Sequence, residues 1–313
     1  MRGLFKAKSI IKSEHINMGH QVTDIPVARI TGSAPGQSLL ITAGLDGDEY
    51  AGMKAAYALI EEFSYTSFNG SLIIIPVVNI PGFEAQTSEN PMDGKYPKHI
   101  YPGKKDGSPT EQLCYWLHMI ATGCDLWLDM HGGALTEIIT PFVGSYISGN
   151  KTIDTRVLDI IKKLPCGYAT VQRPAYTTKA KTLSKYDCGY IMTESGQGSD
   201  NGKAPVERHM LWTHVIMGRL GMIPYPTKEY PKTIYSRVDE YRSTQNGIWH
   251  PQFTAARPVE KGELLGSVAS FEGFLRQQIV ARHAGVLLWA RTGMGIRKGD
   301  SAAGVGYAES HSY

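Results

Sequence analysis

The sequence lacks the features that would place it in a membrane or in a secretory pathway. None of its apolar runs approaches the length of about 18 residues that a membrane-spanning helix needs. The first residues, MRGLFKAKSIIKSEH, hold two apolar pairs separated by lysines, and they contain no apolar stretch of the length that a signal peptide requires. We therefore expect no membrane association and a cytoplasmic protein.

A strong charge imbalance and paired cysteines are also missing. The net charge is only +3, and basic residues occur in pairs such as Lys104-Lys105, which excludes the clustered basic surface of a nucleic-acid-binding protein. The four cysteines form no C-x-x-C pair, and a chain of this length does not need disulfides. We expect reduced thiols.

The apolar content of 42% is enough to bury a core, and its pattern predicts an α/β fold. Apolar runs typical of buried strands occur at 38–42, 72–78, 126–130 and 190–193, and helical patterns near 53–60, 110–122 and 152–163 lie between them. This alternation favours a mixed, mostly parallel sheet flanked by helices. The segment PYPTKEYP at 224–231 is typical of a linker, and short glycine-rich segments follow it. We expect a catalytic domain at 1–230 and a small β-rich domain at 231–313.

Residues that could carry chemistry follow three of the predicted strands, where ligand sites of α/β sheets lie. Asp46 and Glu49 follow the first strand, His131 follows the third, and Glu194 follows the fourth. Each has a structural alternative, since acidic residues often cap helices and a single histidine is often structural. Together, two carboxylates and an imidazole would make three metal ligands with open positions, and a further carboxylate could accept a proton from water.

The order of short motifs resembles the succinylglutamate desuccinylase/aspartoacylase family, which has a zinc carboxypeptidase-like fold. The motifs that carry the resemblance are TAGLDGDEYAG at 42–52, N-I-P-G-F at 79–83, P-M-D-G at 91–94, Y-P-G at 101–103, G-S-P-T-E at 107–111, D-M-H-G-G at 129–133 and T-E-S-G at 193–196. The β-rich C-terminal part, with V-E-K-G at 259–262, is similar to the family's C-terminal domain.

The resemblance implies a role for each candidate residue. Glu49 and His131 match two of the family's metal ligands, and Glu194 matches its catalytic glutamate. Asp46 stands where the family has a histidine ligand, and His99 stands where it has an arginine that would bind substrate. Lys98 replaces an asparagine, and a second family arginine would fall near Ser88. We expect Asp46, Glu49 and His131 to bind the metal, and Lys98 and His99 to contact an anionic group of the substrate.

Two functions are consistent with these residues. The first is a zinc-dependent hydrolase that cleaves an amide, either a deacylase of N-acyl amino acids or a carboxypeptidase-like enzyme acting on short peptides, with Glu194 activating a water on the metal. Because aspartate adds a negative charge to the ligand set, Mn²⁺ or another divalent ion should compete better with Zn²⁺. The second is an inactive family member that acts as a ligand-binding or regulatory protein. Homo-oligomer formation is left open.

Overall fold

A nine-stranded sheet forms the centre of the larger part of the fold. The structure is a computed structural model that describes residues 8–18, 21–173, 178–226, 228–253 and 257–308. In spatial order the strands are β1 (Lys8–Met18), β2 (Gln21–Thr31), β4 (Asn69–Ile75), β3 (Ala34–Ala43), β5 (Leu126–His131), β9 (Gly189–Glu194), β7 (Phe142–Tyr146), β8 (Tyr168–Gln172) and β10 (Thr233–Tyr235). Five of the eight described pairings are parallel, and β3, β5 and β9 form the parallel centre.

Helices cover both faces of this sheet. They are α1 (Tyr50–Tyr65), α2 (Ile80–Ala85), α3 (Pro97–Ile100), α4 (Pro109–Ala121), α5 (Lys151–Lys163), α6 (Thr178–Leu183) and α7 (Lys203–Arg219), with a 3-10 helix at Ser184–Tyr186. None of the helices in the described part of the chain combines the length and the apolar character needed to span a bilayer.

The two faces of the central strands belong to two separate apolar cores. Leu39 and Ile41 of β3 pack on the side that includes Phe63 of α1, whereas Leu40 packs with Trp127 on the opposite side. Side chains of a strand alternate between faces, so a strand covered on both sides can carry apolar residues at consecutive positions. This explains why the central strands are continuous apolar runs in the sequence.

Two antiparallel sheets form the C-terminal part. One contains β11 (Arg237–Arg242), β18 (Ser301–Tyr307), β16 (Gly285–Arg291) and β13 (Pro258–Val259), and the other contains β15 (Leu275–Val280), β14 (Leu264–Ala269), β12 (Gly247–Pro251) and β17 (Gly295–Ile296). The predicted α/β class with a mostly parallel sheet and a β-rich C-terminal part is confirmed.

Each of the two parts contributes one strand to a sheet of the other part. The short strand β6 (Glu137–Ile139) follows β5 in the chain but pairs with β16 of the C-terminal sheet. Conversely, β10 lies beyond residue 230 and pairs with β8 of the large sheet. The division at residue 230 therefore stays a prediction, because one strand on each side of it belongs to a sheet of the other part.

Candidate active site

The predicted metal ligands and the predicted base lie at the carboxyl ends of the central parallel strands. His131 ends β5 and is paired in register with Glu194, which ends the neighbouring parallel strand β9. Asp46 and Glu49 lie in the loop between β3 and α1, and β3 is the other neighbour of β5. The carboxyl ends of parallel strands meet at the same edge of a sheet, where α/β proteins bind ligands.

The loop after β3 is held close to α2 by its glycine. A Cβ atom on Gly47 would lie 2.1 Å from the carbonyl carbon of Gly82, so only glycine permits this approach. The Gly47 N–H donates to the Thr87 carbonyl at 3.2 Å. The same loop begins at Gly44, whose φ of +67° lies in the left-handed region. These contacts direct Asp46 and Glu49 into the interior.

The carboxylate of Glu49 does not cap α1, although Glu49 is the residue at its N-cap position. It accepts hydrogen bonds from the Gly132 N–H at 3.0 Å and from His131 Nδ1 at 2.9 Å. The structural alternative considered for this residue, helix capping, is therefore not what its side chain does.

Asp46, Glu49 and His131 form one buried cluster. Each offers a ligand atom, and these atoms all lie within 4.8 Å of one another. The three residues are 0%, 5% and 5% exposed. His131 Nδ1 also lies 3.5 Å from Asp46 Oδ2, so this nitrogen faces both carboxylates.

Asp129 holds the other nitrogen of the imidazole. Its Oδ2 lies 3.2 Å from His131 Nε2 and accepts from Tyr190 Oη at 2.9 Å and from Lys179 Nζ at 3.2 Å. Thr42 Oγ1 donates to Asp129 Oδ1 at 2.7 Å. Burial alone would raise the pKa of Asp129, but the charges of His131 and Lys179 outweigh burial and hold it well below its usual range. The imidazole is thus oriented by an ionised carboxylate with Nδ1 toward the cluster.

Glu194 lies beside the cluster and is 9% exposed. Burial raises the pKa of Glu194 to about 8, although the charges of His131 and Lys98 act in the opposite direction. A carboxyl group with a pKa near neutrality can both accept and return a proton.

Lys98 and His99, the predicted substrate contacts, lie on the short helix α3 and have different surroundings. Lys98 Nζ donates to Asp46 Oδ2 at 2.7 Å, and its side chain is 35% exposed. His99 is exposed, with its ring centroid 6.1 Å from that of Tyr96. Partial burial and the charge of Lys98 lower the pKa of His99 below its usual value.

Two further residues near the cluster escaped the sequence analysis. Burial raises the pKa of Glu137 on β6, and its carboxyl interacts electrostatically with Lys98 and Asp46. Lys179 on α6 supports Asp129 while its ammonium lies 4.8 Å from the ring centre of Trp127. Ser88, near which an arginine would fall by resemblance, donates instead to Asp48 at 2.7 Å.

The cluster fits a divalent cation. Two carboxylates and one imidazole are a donor set that Zn²⁺ and Mn²⁺ accept. Among the residues that the structure describes, Asp46 Oδ1 and Glu194 Oε2 are buried side-chain oxygens without a hydrogen-bond partner. Buried oxygens are rarely left unsatisfied without a ligand or ordered water nearby. A third such oxygen, Thr170 Oγ1, lies on β8 outside the site, whereas both carboxylate oxygens belong to it.

Comparisons with known proteins give a family match and a curated relative. Residues 35–208 match the family model of the succinylglutamate desuccinylase/aspartoacylase catalytic domain. The chain is 25% identical over 297 residues to the N-α-acetyl-L-2,4-diaminobutyric acid deacetylase of Halomonas elongata, covering 89% of this chain and 84% of the relative.

Solved structures share the fold along nearly the whole chain. A succinylglutamate desuccinylase from a Silicibacter species has a TM-score of 0.83 at 22% identity, with 96% of this chain and 95% of that chain covered. The product-bound ectoine utilization protein EutE of Ruegeria pomeroyi has a TM-score of 0.82 at 22% identity, with the same coverage. At this identity the likeness shows the fold.

Proposed function

Because the chain belongs to the succinylglutamate desuccinylase/aspartoacylase family, we propose that it is a metal-dependent amide hydrolase that removes the acyl group from an N-acyl amino acid. The observation that carries the proposal is the buried cluster of Asp46, Glu49 and His131 with the unpartnered Glu194 oxygen beside it. The diaminobutyric acid relative acts on a small N-acyl amino acid by its name, which supports a substrate of this class.

The cluster would hold the metal through Asp46, Glu49 and His131 Nδ1. A divalent ion bound there would polarise the scissile carbonyl and lower the pKa of a water molecule. The protein's part is to keep His131 Nδ1 directed at the cluster, which Asp129 does from the other side of the ring at 3.2 Å. Zn²⁺ is the metal we propose, with Mn²⁺ as a competitor because two of the three ligands are hard oxygen donors.

Glu194 would move the proton. Its Oε2 is free to accept a hydrogen bond from water, and the ionised form would take a proton as the water attacks the carbonyl carbon. The protonated form would then give that proton to the amide nitrogen as the C–N bond breaks, which releases the free amine and the carboxylic acid. A pKa of about 8 suits both steps near neutral pH.

Lys98 and His99 remain the proposed contacts for the substrate's carboxylate. Lysine offers a compact charge with three donors, and one of them is directed at Asp46. His99 is exposed beside this ammonium and would carry a positive charge only at lower pH, since its pKa is lowered. Neither offers the paired hydrogen bonds of arginine, so we expect moderate affinity for the carboxylate.

The C-terminal sheets would limit the size of the substrate. Strand β6, which carries Glu137, pairs with β16, and Glu240 of β11 contributes to the electrostatic surroundings of His99. The proximity of these C-terminal strands to Glu137 and His99 supports a cleft for a small molecule or a short peptide.

The test is hydrolysis of a panel of N-acetyl amino acids by protein whose zinc content has been measured. We expect about one equivalent of metal, turnover with wild type, and loss of turnover in Glu194→Gln. The matched control is Glu207→Gln, since the Glu207 side chain is 61% exposed on α7. Wild-type protein that carries zinc but hydrolyses no N-acyl amino acid or short peptide would refute the proposal.

One observation favours the second candidate function, a family member that binds a ligand without turning it over. Asp46 already forms an ion pair with Lys98 within the protein, so its negative charge is balanced without a metal. Wild type that binds an N-acyl amino acid, takes up no zinc when zinc is added, and does not hydrolyse the bound compound would support this alternative.

A further inference from the structure

One proposed metal ligand has an internal cation bound to it. Lys98 Nζ lies 2.7 Å from Asp46 Oδ2, and Asp46 is fully buried. The same oxygen lies 3.5 Å from His131 Nδ1. The ammonium therefore lies at the edge of the ligand cluster itself, where it contacts an oxygen that faces another ligand.

The fold holds Lys98 in this position. The preceding Pro97 is buried at the start of α3, and its carbonyl accepts a hydrogen bond from Cys114 Sγ of α4 at 3.3 Å. The Lys98 side chain is about one-third exposed, so its stem lies along the protein and only part of it reaches solvent.

Charge explains why a cation belongs there. Asp46 lies fully buried beside Glu49, and an unpaired buried carboxylate is strongly unfavourable. Lys98 supplies one positive charge beside them. A divalent ion would supply two, but it would have to share Asp46 with the ammonium, and like charges a few ångströms apart repel each other.

We propose that Lys98 is the built-in counter-cation of Asp46, which competes with a divalent ion for this carboxylate and so weakens metal binding. This inference rests on the proposed metal-dependent function, and it concerns how tightly the site binds its metal. Lys98 acts here through Asp46, as a positioning residue, and this role is separate from any contact with a substrate.

The test measures the zinc dissociation constant of metal-free protein by competition with a chromophoric chelator. Lys98→Met should bind zinc at least about tenfold more tightly, because the competing charge is removed. Lys98→Arg keeps the charge and should stay within about threefold of wild type. The control Lys104→Met, at a position that is 75% exposed, should leave the constant unchanged.

Repeating the measurement in an Asp46→Asn background separates competition for the Asp46 carboxylate from general repulsion between Lys98 and the metal ion. Asp46→Asn keeps an oxygen at this position but removes the carboxylate that Lys98 pairs with. In that background Lys98→Met should change zinc affinity by about threefold or less, since only long-range repulsion is left. If Lys98→Met is unstable without metal, it can be purified with zinc and the rate of zinc loss to the chelator measured, which should be slower than in wild type.

The outcomes distinguish this inference from the proposed function. Zinc affinity in Lys98→Met that is equal to or weaker than wild type overturns the inference and leaves the hydrolase proposal standing. The same gain in both backgrounds also overturns it, because Lys98 would then act without Asp46. Tighter binding in Lys98→Met with no turnover in any variant supports the inference and refutes the hydrolase. Failure of all variants to bind zinc overturns both.

Discussion

Replacing the proposed base, Glu194→Gln, should make the metal-free protein more stable. The same substitution should abolish turnover by the zinc-loaded protein. Glu194 is buried, and burial raises its pKa from 4.5 to about 8. At pH 7 an unfolded chain therefore ionises this carboxyl group, whereas the folded protein keeps it largely protonated. Folding must then take up a proton, which opposes folding at this pH.

The magnitude follows from the two pKa values. Between the unfolded pKa of 4.5 and pH 7, each unit costs about 1.4 kcal/mol, so the penalty at pH 7 is roughly 3 kcal/mol. The stability contribution of this group is fully present below the unfolded pKa and is lost as the pH rises through the folded pKa of about 8. Glutamine has a similar shape and does not ionise, so Glu194→Gln should remove this pH dependence.

The assay is urea unfolding of chelator-treated wild type, Glu194→Gln and the exposed control Glu207→Gln at pH 5, 7 and 8.5. We expect Glu194→Gln to exceed wild type in unfolding free energy by roughly 2–3 kcal/mol at pH 7 and to be close to it at pH 5. A loop-capping role predicts the opposite sign, a loss of about 1 kcal/mol with little kinetic effect. An unchanged pH slope, or near-normal turnover, would refute the reasoning.

Other residues give further predictions. Asp129→Asn keeps the shape of the side chain that orients His131 but removes its charge, so zinc affinity should fall by about 10–100-fold; unchanged affinity in a chelator competition would show that the imidazole needs no such support. Gly47→Ala places a Cβ 2.1 Å from the carbonyl carbon of Gly82, and it should lower the melting temperature and displace Asp46, which calorimetry and zinc titration can measure; a variant equal to wild type in both would contradict the close packing of this loop. Binding of an N-acyl amino acid should tighten as the pH falls below about 6.5 if His99 reads its carboxylate, because the pKa of this histidine is lowered from 6.5; calorimetric titration from pH 5.5 to 8 with the amide-capped analogue as control would show equal, pH-independent affinities if no carboxylate is recognised.

The central strands could be predicted because their physical signal is local. Strands β3, β5 and β9 are covered on both faces, so each contains consecutive apolar residues. The site residues that follow these strands could be located for the same reason, since the carboxyl ends of neighbouring parallel strands share one edge. Asp46, Glu49 and His131 meet there as the motifs predicted.

Short and edge strands carried no comparable signal. Strand β6 has three residues and pairs with β16, which lies more than a hundred positions later in the chain. A three-residue segment is too short to show a period. The hairpin of β1 and β2 was not predicted either, because β1 is an edge strand with a largely exposed face and its sequence mixes lysines with apolar residues.

The charged partners of the site were beyond the reach of local patterns. Lys179 reaches Asp129 across 50 positions, and Lys98 reaches Asp46 across 52. Lys98 stands out in the sequence only because it replaces an expected residue, and this replacement predicts a contact with the substrate and not with Asp46. No spacing rule indicates which buried carboxylate a distant lysine will meet, since tertiary folding decides that contact.

The arrangement of these cations gives a physical reason why Glu194 would be the proton carrier. Asp129 has Lys179 and Asp46 has Lys98 as a direct ion-pair partner, and the pKa values of both carboxyl groups are held low. A carboxyl group stabilised in its ionised form is a poor base. Among the described residues Glu194 forms no ion pair within 4.0 Å, and one of its oxygens is unpartnered. Burial therefore dominates its ionisation and raises its pKa to about 8, which makes Glu194 better able than Asp46 or Asp129 to take a proton from water and return it to the leaving amine.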